Sequence, residues 1–304
     1  MSKRFLLSII LVLILTNLIT LLFWNQNDHK SGSDIVIDHK GEKEITTNKP
    51  VATIEGEEIS YEDWNKSLQA EYGEMHLKKL VDRSVVDQLA KKRDIQINEK
   101  LIDHDIALLT TMQSVMTEDE IVTAEEKWRE DLLYRYRLEA LLAEDIDISE
   151  EEVKKFYDGY SKQYDFSSSL QFSHIIVESR EEAEKVIKEL DAGASFDLLA
   201  KEYSIDEETK DVGGYLGYFT STSQFLPAGY YEKAVDMEEY SYSKPFDTGD
   251  GFAIIYLHRH LPSINFTYDE IKDQIKNELA LKEQEKILSA DLLWEQLDID
   301  WIYE

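Results

Sequence analysis

The hydrophobic pattern divides the chain into segments of different character. Residues 5–24 form an uncharged, mostly apolar run, and residues 25–50 are polar with few large apolar side chains. From residue 51 to about residue 165, apolar positions recur at helical spacing, which predicts long helices. From residue 170 to residue 258 the elements become shorter and apolar positions alternate, which predicts strands mixed with short helices. The pattern therefore predicts a helical region followed by an α+β module.

The helical region is expected to begin with two short strands around a turn at Gly56, followed by a helix from Tyr61 to about Arg93. The apolar stripe of this helix is interpreted as core, and it comprises Trp64, Leu68, Tyr72, Met75, Leu80, Val81, Val85 and Leu89. A second long helix is predicted over residues 117–143. Ser149 and Glu152 form a Ser-x-x-Glu capping box that starts the next helix. A last amphipathic helix over residues 267–297 is expected to pack on the earlier helices.

The α+β module has a simple predicted order of elements. A strand over residues 170–177 contains His174, and the closing strand covers residues 251–258. Between them the pattern predicts helices over residues 181–192 and 195–203, a glycine-rich turn and strand over residues 213–219, and a short helix over residues 225–237. The order β-α-α-β-α-β within about 90 residues indicates a compact α+β fold.

The run over residues 5–24 is long enough to cross a bilayer as one helix. Twenty residues at about 1.5 Å each span roughly 30 Å, which matches the hydrocarbon core. Trp24 suits the membrane interface, and Lys3 and Arg4 are expected to hold the amino-terminal tail in the cytoplasm. A cleaved signal peptide would have a shorter apolar region with small residues at its end, so an uncleaved anchor is favoured. The rest of the chain is then expected to face outward.

Composition and charge exclude several classes of function. The chain has 304 residues, 63 acidic and 33 basic side chains, a net charge of −30 and no cysteine. Such acidity disfavours nucleic acid as a partner, because phosphate binding requires a basic surface. The absence of cysteine excludes disulfides, thiolate metal sites and a lipoprotein anchor. Gly213 and Gly217 lack the lysine of a phosphate loop, and His258 and His260 lack a third ligand, so no cofactor or metal is predicted.

Four ordered blocks between Phe172 and His258 resemble the parvulin-type peptidyl-prolyl isomerase domain. They read FSHIIV from Phe172, GASFDLLAKEYSID from Gly193, GGYLGYF from Gly213, and SKP from Ser243 together with GFAII. The whole chain resembles the PrsA/SurA group of extracytoplasmic foldases. The resemblance implies that His174 and Asp206 are active-site residues. It also implies an apolar wall for the substrate proline, made of Leu216, Phe219, Phe225 and Tyr231.

One position departs from the family pattern. The second family histidine should lie where this chain has Ala253. His258 and His260 follow at odd separations, which on a regular strand places them on the opposite face. A buried His174 without its histidine partner would lose control of its tautomer and orientation, so we expect reduced isomerase activity.

The resemblance also implies the organisation of the whole chain. The expected fold class is α+β, with a parvulin-type module of a small antiparallel or mixed sheet and surrounding helices, joined to a mostly helical chaperone domain and preceded by one transmembrane helix. The expected divisions are residues 1–24 for the cytoplasmic tip and anchor, 25–50 for a flexible tether, 51–168 for the chaperone-like domain, 169–262 for the isomerase domain and 263–304 for a C-terminal helix that packs on the chaperone domain.

Three functions remain open from the sequence. The first is a membrane-anchored extracytoplasmic foldase that isomerises X-Pro bonds in newly exported polypeptides. The second is a holdase that binds unfolded clients through a catalytically weak or inactive parvulin-like module, as Ala253 would allow. The third is an envelope adaptor protein. The expected partners are unfolded polypeptides containing X-Pro bonds and the lipid bilayer through the N-terminal helix, with no nucleic acid. Homodimerisation is suggested by the resemblance alone.

Overall fold

A computed structural model of the chain describes residues 35–37, 44–283 and 288–303. Within these residues it confirms a fold that mixes helices with an antiparallel sheet. The helices are α1 Tyr61–Lys92, α2 Glu99–Thr111, α3 Glu118–Ala143, α4 Glu150–Tyr160, α5 Arg180–Asp191, α6 Phe196–Tyr203, α7 Tyr230–Ala234 and α8 Tyr268–Glu283. The strands are β1 Ile35–Ile37, β2 Glu44–Thr46, β3 Ala52–Ile54, β4 Glu57–Ile59, β5 Ser169–Val177, β6 Tyr215–Thr220, β7 Ser241–Tyr242, β8 Phe246–Asp247 and β9 Phe252–Leu261.

The chain divides into two compact units, and the described residues of the first are 35–37, 44–81 and 300–303. In this unit β3 and β4 form the predicted hairpin, and its turn places Glu55 and Gly56 at positive φ, as a two-residue hairpin turn requires. β1 pairs antiparallel with β2 inside the segment predicted as a tether. The flexible tether over residues 25–50 stays a prediction, and the two strands within it contain the β-branched residues Ile35, Val36, Ile37 and Ile45.

The first part of α1 differs from the prediction that its apolar stripe is core. Several stripe residues are more than one third exposed: Trp64, Leu68, Tyr72, Met75 and Leu80. Burial begins later in the helix, at Val85, Val86 and Leu89. Helical periodicity reports which residues share a face, but it does not report whether another element covers that face.

The second unit, residues 82–299, contains the remaining helices and the main sheet. A buried cluster joins α2, α3 and α4 to α8, and its members include Leu101, Ile102, Leu132, Tyr136, Val153, Ile271 and Ile275. α8 thus packs on the preceding helices. The predicted helix over residues 267–297 is wrong in length, because α8 ends at Glu283 and residues 290–296 form a 3-10 helix. The predicted boundary after residue 168 falls inside this unit, and the domain divisions stay predictions.

The main sheet has five antiparallel strands in the order β6-β5-β9-β7, and β8 also pairs with β9. Side chains alternate between the two faces of β5, and Ile175 and Val177 lie in a cluster beneath α5 and α6. Leu170 and Phe172 lie in a second cluster on the other face, together with Tyr230 of α7. α7 has only five residues, far fewer than the helix predicted over residues 225–237. The sheet therefore separates two apolar layers, and His174 belongs to the second.

Among the described residues, every helix is too short or too polar to cross a membrane. The apolar run over residues 5–24 lies outside the described part of the chain.

Candidate active site

His174 lies in the middle of β5, between two hydrogen-bonded neighbours. Its N–H donates to the Gly214 carbonyl over 2.8 Å, and in the ladder with β9 it lies opposite Ile255. The β-branched residues Ile175, Ile176 and Val177 that follow favour this extended, doubly buried strand. The His174 side chain keeps only 4% of its surface exposed. The imidazole is thus enclosed rather than presented to solvent.

Asp206 reaches His174 through a loop that is tied to β5. The Ile205 N–H donates to the Ile176 carbonyl over 2.7 Å, and Ser204 Oγ accepts from the Ile176 N–H over 3.2 Å. These two bonds place Asp206 Oδ2 at 2.8 Å from His174 Nε2. The structure therefore brings together the two residues predicted as catalytic.

The Asp206 carboxylate is held in its charged form by its neighbours. Burial opposes its ionisation, but hydrogen bonds from Thr209 Oγ1, from His174 and from the Glu208 N–H outweigh burial and lower its pKa below the usual value. The Asp206 side chain remains 21% exposed. Asp206 is thus the member of the pair that a substrate can touch.

His174 has a second partner that sequence reasoning missed. Its Nδ1 atom lies 2.9 Å from the hydroxyl of Tyr230, which is fully buried in α7. The expectation that His174 lacks control of its ring nitrogens is therefore wrong, because both nitrogens have partners. The sequence named the neighbouring Tyr231 instead, and in a helix of five residues no periodicity distinguishes two adjacent tyrosines.

The predicted apolar wall is assembled in part. Leu216, Phe219 and Tyr231 are half-buried and pack against the cluster on the His174 face. Phe225 does not join them, since it is 92% exposed in the segment after β6. The same cluster is also flanked by half-buried residues that the sequence analysis did not name as part of the wall: Leu226, Val235, Met237 and Phe246. Phe246 belongs to a two-residue strand, which is too short to produce an alternating pattern.

Ala253 lies on the same face of the sheet as His174. In the ladder it is opposite Ile176, two residues along β5 from His174, and it is completely buried. His258 is on the other face, as predicted, where its Nε2 lies 2.8 Å from Ser173 Oγ.

The prediction that His260 lies on the opposite face is wrong. A β-bulge leaves His258 unpaired between Leu257, which pairs with Phe172, and Arg259, which pairs with Gln171. The extra residue returns His260 to the face of His174, opposite Leu170. It is still four residues along β5 from His174, roughly 13 Å away at strand spacing, so it cannot replace the missing histidine.

The site resembles known proteins in sequence. Residues 148–273 match the PPIC-type peptidyl-prolyl isomerase domain model. The chain is 36% identical to YacD of Bacillus subtilis strain 168, which is named as a candidate peptidyl-prolyl cis-trans isomerase, across 85% of this chain and 87% of YacD. It is 31% identical to the foldase protein PrsA of Halalkalibacterium halodurans, across 84% of this chain and 77% of that protein.

The chain belongs to the PrsA-like family of parvulin-type foldases. The family's isomerase domain, as matched, extends beyond the sheet into α4 and the start of α8. A solved structure of a SurA-like chaperone from Campylobacter jejuni is 22% identical, covers 83% of this chain and 100% of its own, and has a TM-score of 0.36. The family assignment rests on the sequence matches alone.

Proposed function

We propose that this PrsA-like protein is a membrane-anchored extracytoplasmic foldase that isomerises X-Pro bonds at the site formed by Asp206, His174 and the apolar wall. The observation that carries the proposal is the partly exposed Asp206, which is joined through His174 and Tyr230 to a buried apolar cluster flanked by half-buried side chains. Membrane anchoring is supported by the uncharged run over residues 5–24 after Lys3 and Arg4.

The apolar wall provides the grip that the reaction needs. Leu216, Phe219 and Tyr231 surround a buried floor of Phe172 and Ala253. A proline ring that packs there removes apolar surface from water, which favours binding at about 25 cal/mol per Å². Holding the ring leaves the preceding residue free to rotate about the X-Pro bond.

The carboxylate lowers the barrier by disfavouring the planar amide. Rotation about the bond costs about 18 to 20 kcal/mol, because the planar amide loses its resonance. That resonance puts partial negative charge on the carbonyl oxygen, and a twisted amide has less of it. A negative Asp206 near the carbonyl therefore raises the energy of the planar form more than that of the twisted form. His174 does not need to touch the substrate, because its bond to Oδ2 orients the carboxylate.

The test is the rate of cis/trans interconversion of a short X-Pro peptide with the full chain. Asp206→Asn keeps the shape of the side chain but removes its charge, and we expect kcat to fall at least tenfold, or about 1.4 kcal/mol, together with a lower KM, because the planar amide is no longer disfavoured. The matched control is Glu232→Gln, which removes an exposed charge from α7 and should leave both kcat and KM within twofold.

Two outcomes would contradict the proposal. If the wild-type chain only matches the uncatalysed rate, the site is not an isomerase site, and suppression of client aggregation would then identify a holdase. If Asp206→Asn retains full activity, the charge on Asp206 does not contribute, and the rate enhancement comes from the apolar wall.

A further inference from the structure

The hydroxyl of Tyr230 is a buried polar group for which the reaction as described has no use. Its ring is completely buried, and its only described hydrogen bond is to Nδ1 of His174, at 2.9 Å. The two rings meet edge to face, with centroids 5.8 Å apart. A buried phenol normally has a hydrogen-bond partner, and the partner of this one is the imidazole of the candidate site.

The direction of each hydrogen bond follows from the chemistry of the three groups. Burial lowers the pKa of His174 even though Asp206 opposes the shift, so the imidazole is neutral and carries one proton. An ionised Asp206 can only accept, which places that proton on Nε2. Nδ1 must then accept, and burial raises the pKa of Tyr230, so the phenol keeps its proton and donates it. The order of donation is Tyr230 to His174 to Asp206.

The small side chain of Ala253 leaves room for this arrangement. Phe246 lies directly opposite Ala253 in the ladder of β8 and β9. The Tyr230 ring packs edge to face on Phe246, at 5.4 Å between centroids, and shares a buried cluster with Ala253. Tyr230 therefore fills space on the face where a longer side chain at position 253 would project.

We infer that Tyr230 is a positioning residue that holds His174, and through it Asp206, in place. Positions 230 and 253 are coupled, because the Tyr230 ring fills the space that a larger side chain at position 253 would need. This inference rests on the proposed function of Asp206, but the hydrogen bond itself can be tested without activity. It replaces the expectation that the alanine at position 253 leaves His174 without a fixed tautomer.

The direct test is NMR on the full chain labelled with ¹⁵N at histidine. Its seven histidines give few signals, and His174→Gln identifies the pair that belongs to His174. In the wild-type chain we expect Nε2 to be protonated and Nδ1 to be a hydrogen-bonded acceptor. In Tyr230→Phe, which keeps the ring, the Nδ1 signal should move to the position of an unbonded nitrogen, and kcat should fall about tenfold, the rate equivalent of one buried hydrogen bond.

The matched control is Tyr231→Phe. This change removes the neighbouring hydroxyl, which contacts Ser168 Oγ at 3.4 Å and not His174. It should leave the His174 signals unmoved. A merely structural loss of a tyrosine hydroxyl in α7 would affect both variants alike.

The coupling is tested by a double-mutant cycle of Ala253→His and Tyr230→Ala, read as thermal midpoints. Ala253→His alone should lower the midpoint, because the added imidazole meets the Tyr230 ring. In the double variant the ring is gone, and the loss should be smaller than the sum of the two single losses. Additive losses would show that the two positions do not share space, and would overturn the coupling.

The NMR and activity measurements distinguish failure of this inference from failure of the proposed function. If Nδ1 carries the proton in the wild-type chain, or if Tyr230→Phe leaves the His174 signals unmoved, the positioning role is wrong whatever the activity. The wild-type spectrum decides the first point even if the Tyr230 variant does not fold. If the signals behave as expected but the wild-type chain does not accelerate isomerisation, the positioning bond stands and the proposed function fails.

Discussion

At the scale of single residues, the site is a row of hydrogen bonds that ends at the solvent. Tyr230 and His174 are buried, whereas Asp206 is partly exposed, so the polar contacts lead outward from the core to a carboxylate that solvent can reach. Thr209 supports the carboxylate from the side. Each buried polar atom of this row has a partner, which avoids the cost of an unsatisfied group.

Sequence reasoning found two of the three members of this row, His174 and Asp206, through the resemblance to the parvulin family. His174 lies within a clear strand pattern, and Asp206 comes shortly after a helix that ends at Tyr203. Tyr230 carried no such signal, because its role depends on a contact with a residue 56 positions away. Thr209 could have been suspected, since an Asp whose side chain accepts from the N–H two residues later forms a local turn that brings the next residue near.

His258 leads to a prediction about stability and pH. Burial lowers its pKa to about 4, against 6.5 for an ordinary histidine. Below pH 6.5 the unfolded chain therefore takes up a proton at this residue and the folded chain does not, so stability falls as the pH drops towards 4. Between pH 7 and pH 5 this loss is on the order of 2 kcal/mol.

His258→Gln should reduce this pH dependence. We expect the difference in the free energy of unfolding between pH 7 and pH 5, measured with denaturant, to be smaller in the variant than in the wild-type chain. The comparison is made within each protein, so the lost contact with Ser173 cancels. His76→Gln, at an exposed histidine of α1, controls for removal of a histidine. An unchanged difference for His258→Gln would show that the imidazole is accessible to protons in the folded state.

At the scale of elements, the turn before β6 determines how closely the site can be packed. Gly214 has φ of 74° and accepts the His174 N–H at its carbonyl. A Cβ atom built on Gly214 would lie 2.0 Å from the His174 carbonyl oxygen. The backbone of the turn therefore approaches β5 more closely than any other residue type permits.

Gly214→Ala should disturb both folding and the site. We expect it to lower the free energy of unfolding by more than about 3 kcal/mol, since it adds backbone strain to a clash with backbone atoms. Gly249→Ala is the matched control, because Gly249 has φ of 87° but no atom within 4 Å of the added Cβ. Gly249→Ala should lower the free energy of unfolding by about 1 to 2 kcal/mol, from backbone strain alone. Equal costs in denaturant unfolding would show that β5 and the turn can move apart freely.

The elements were predicted well where a long pattern was present. β5, β9, α3, α5 and α6 have bounds close to those expected, because each has a clear period or a capping residue. The features that the sequence did not predict are either short or depend on a neighbouring strand. β7 and β8 have two residues each, and the bulge in β9 follows from its pairing with β5. Pairing geometry is a property of two strands together, so it is absent from either sequence segment alone.

At the scale of the whole molecule, the acidic residues and the apolar run over residues 5–24 occupy different parts of the chain. All 63 acidic residues lie after residue 24, and only Lys3 and Arg4 carry charge before it. The family assignment agrees with the expected foldase, and the anchor stays a prediction. Sequence is the right evidence for an anchor, because hydropathy and flanking charge are the quantities that decide insertion and orientation.

The anchor can be tested by fractionation of cells that express the full chain. We expect the protein in the membrane fraction after a carbonate wash, with its bulk cut by protease added outside the membrane. The variant Leu13→Lys with Leu15→Lys should release it, since each charge at a helix centre costs about 2.5 to 3.5 kcal/mol on insertion. The control variant Asn25→Lys with Gln26→Lys lies outside the apolar run and should stay bound. Release of the wild-type chain by the carbonate wash would contradict the anchor.

The position of β5 between β6 and β9 affects how the site behaves over time. A strand with hydrogen-bonded neighbours on both sides opens to solvent only when the sheet itself opens. The geometry around His174 is therefore established during folding and changes only when the sheet opens. Residues 221–229 are mostly exposed and make few such bonds, so they can open without opening the sheet. The candidate site and the exposed segment near it are therefore expected to differ in how often they open, and hydrogen exchange would measure that difference.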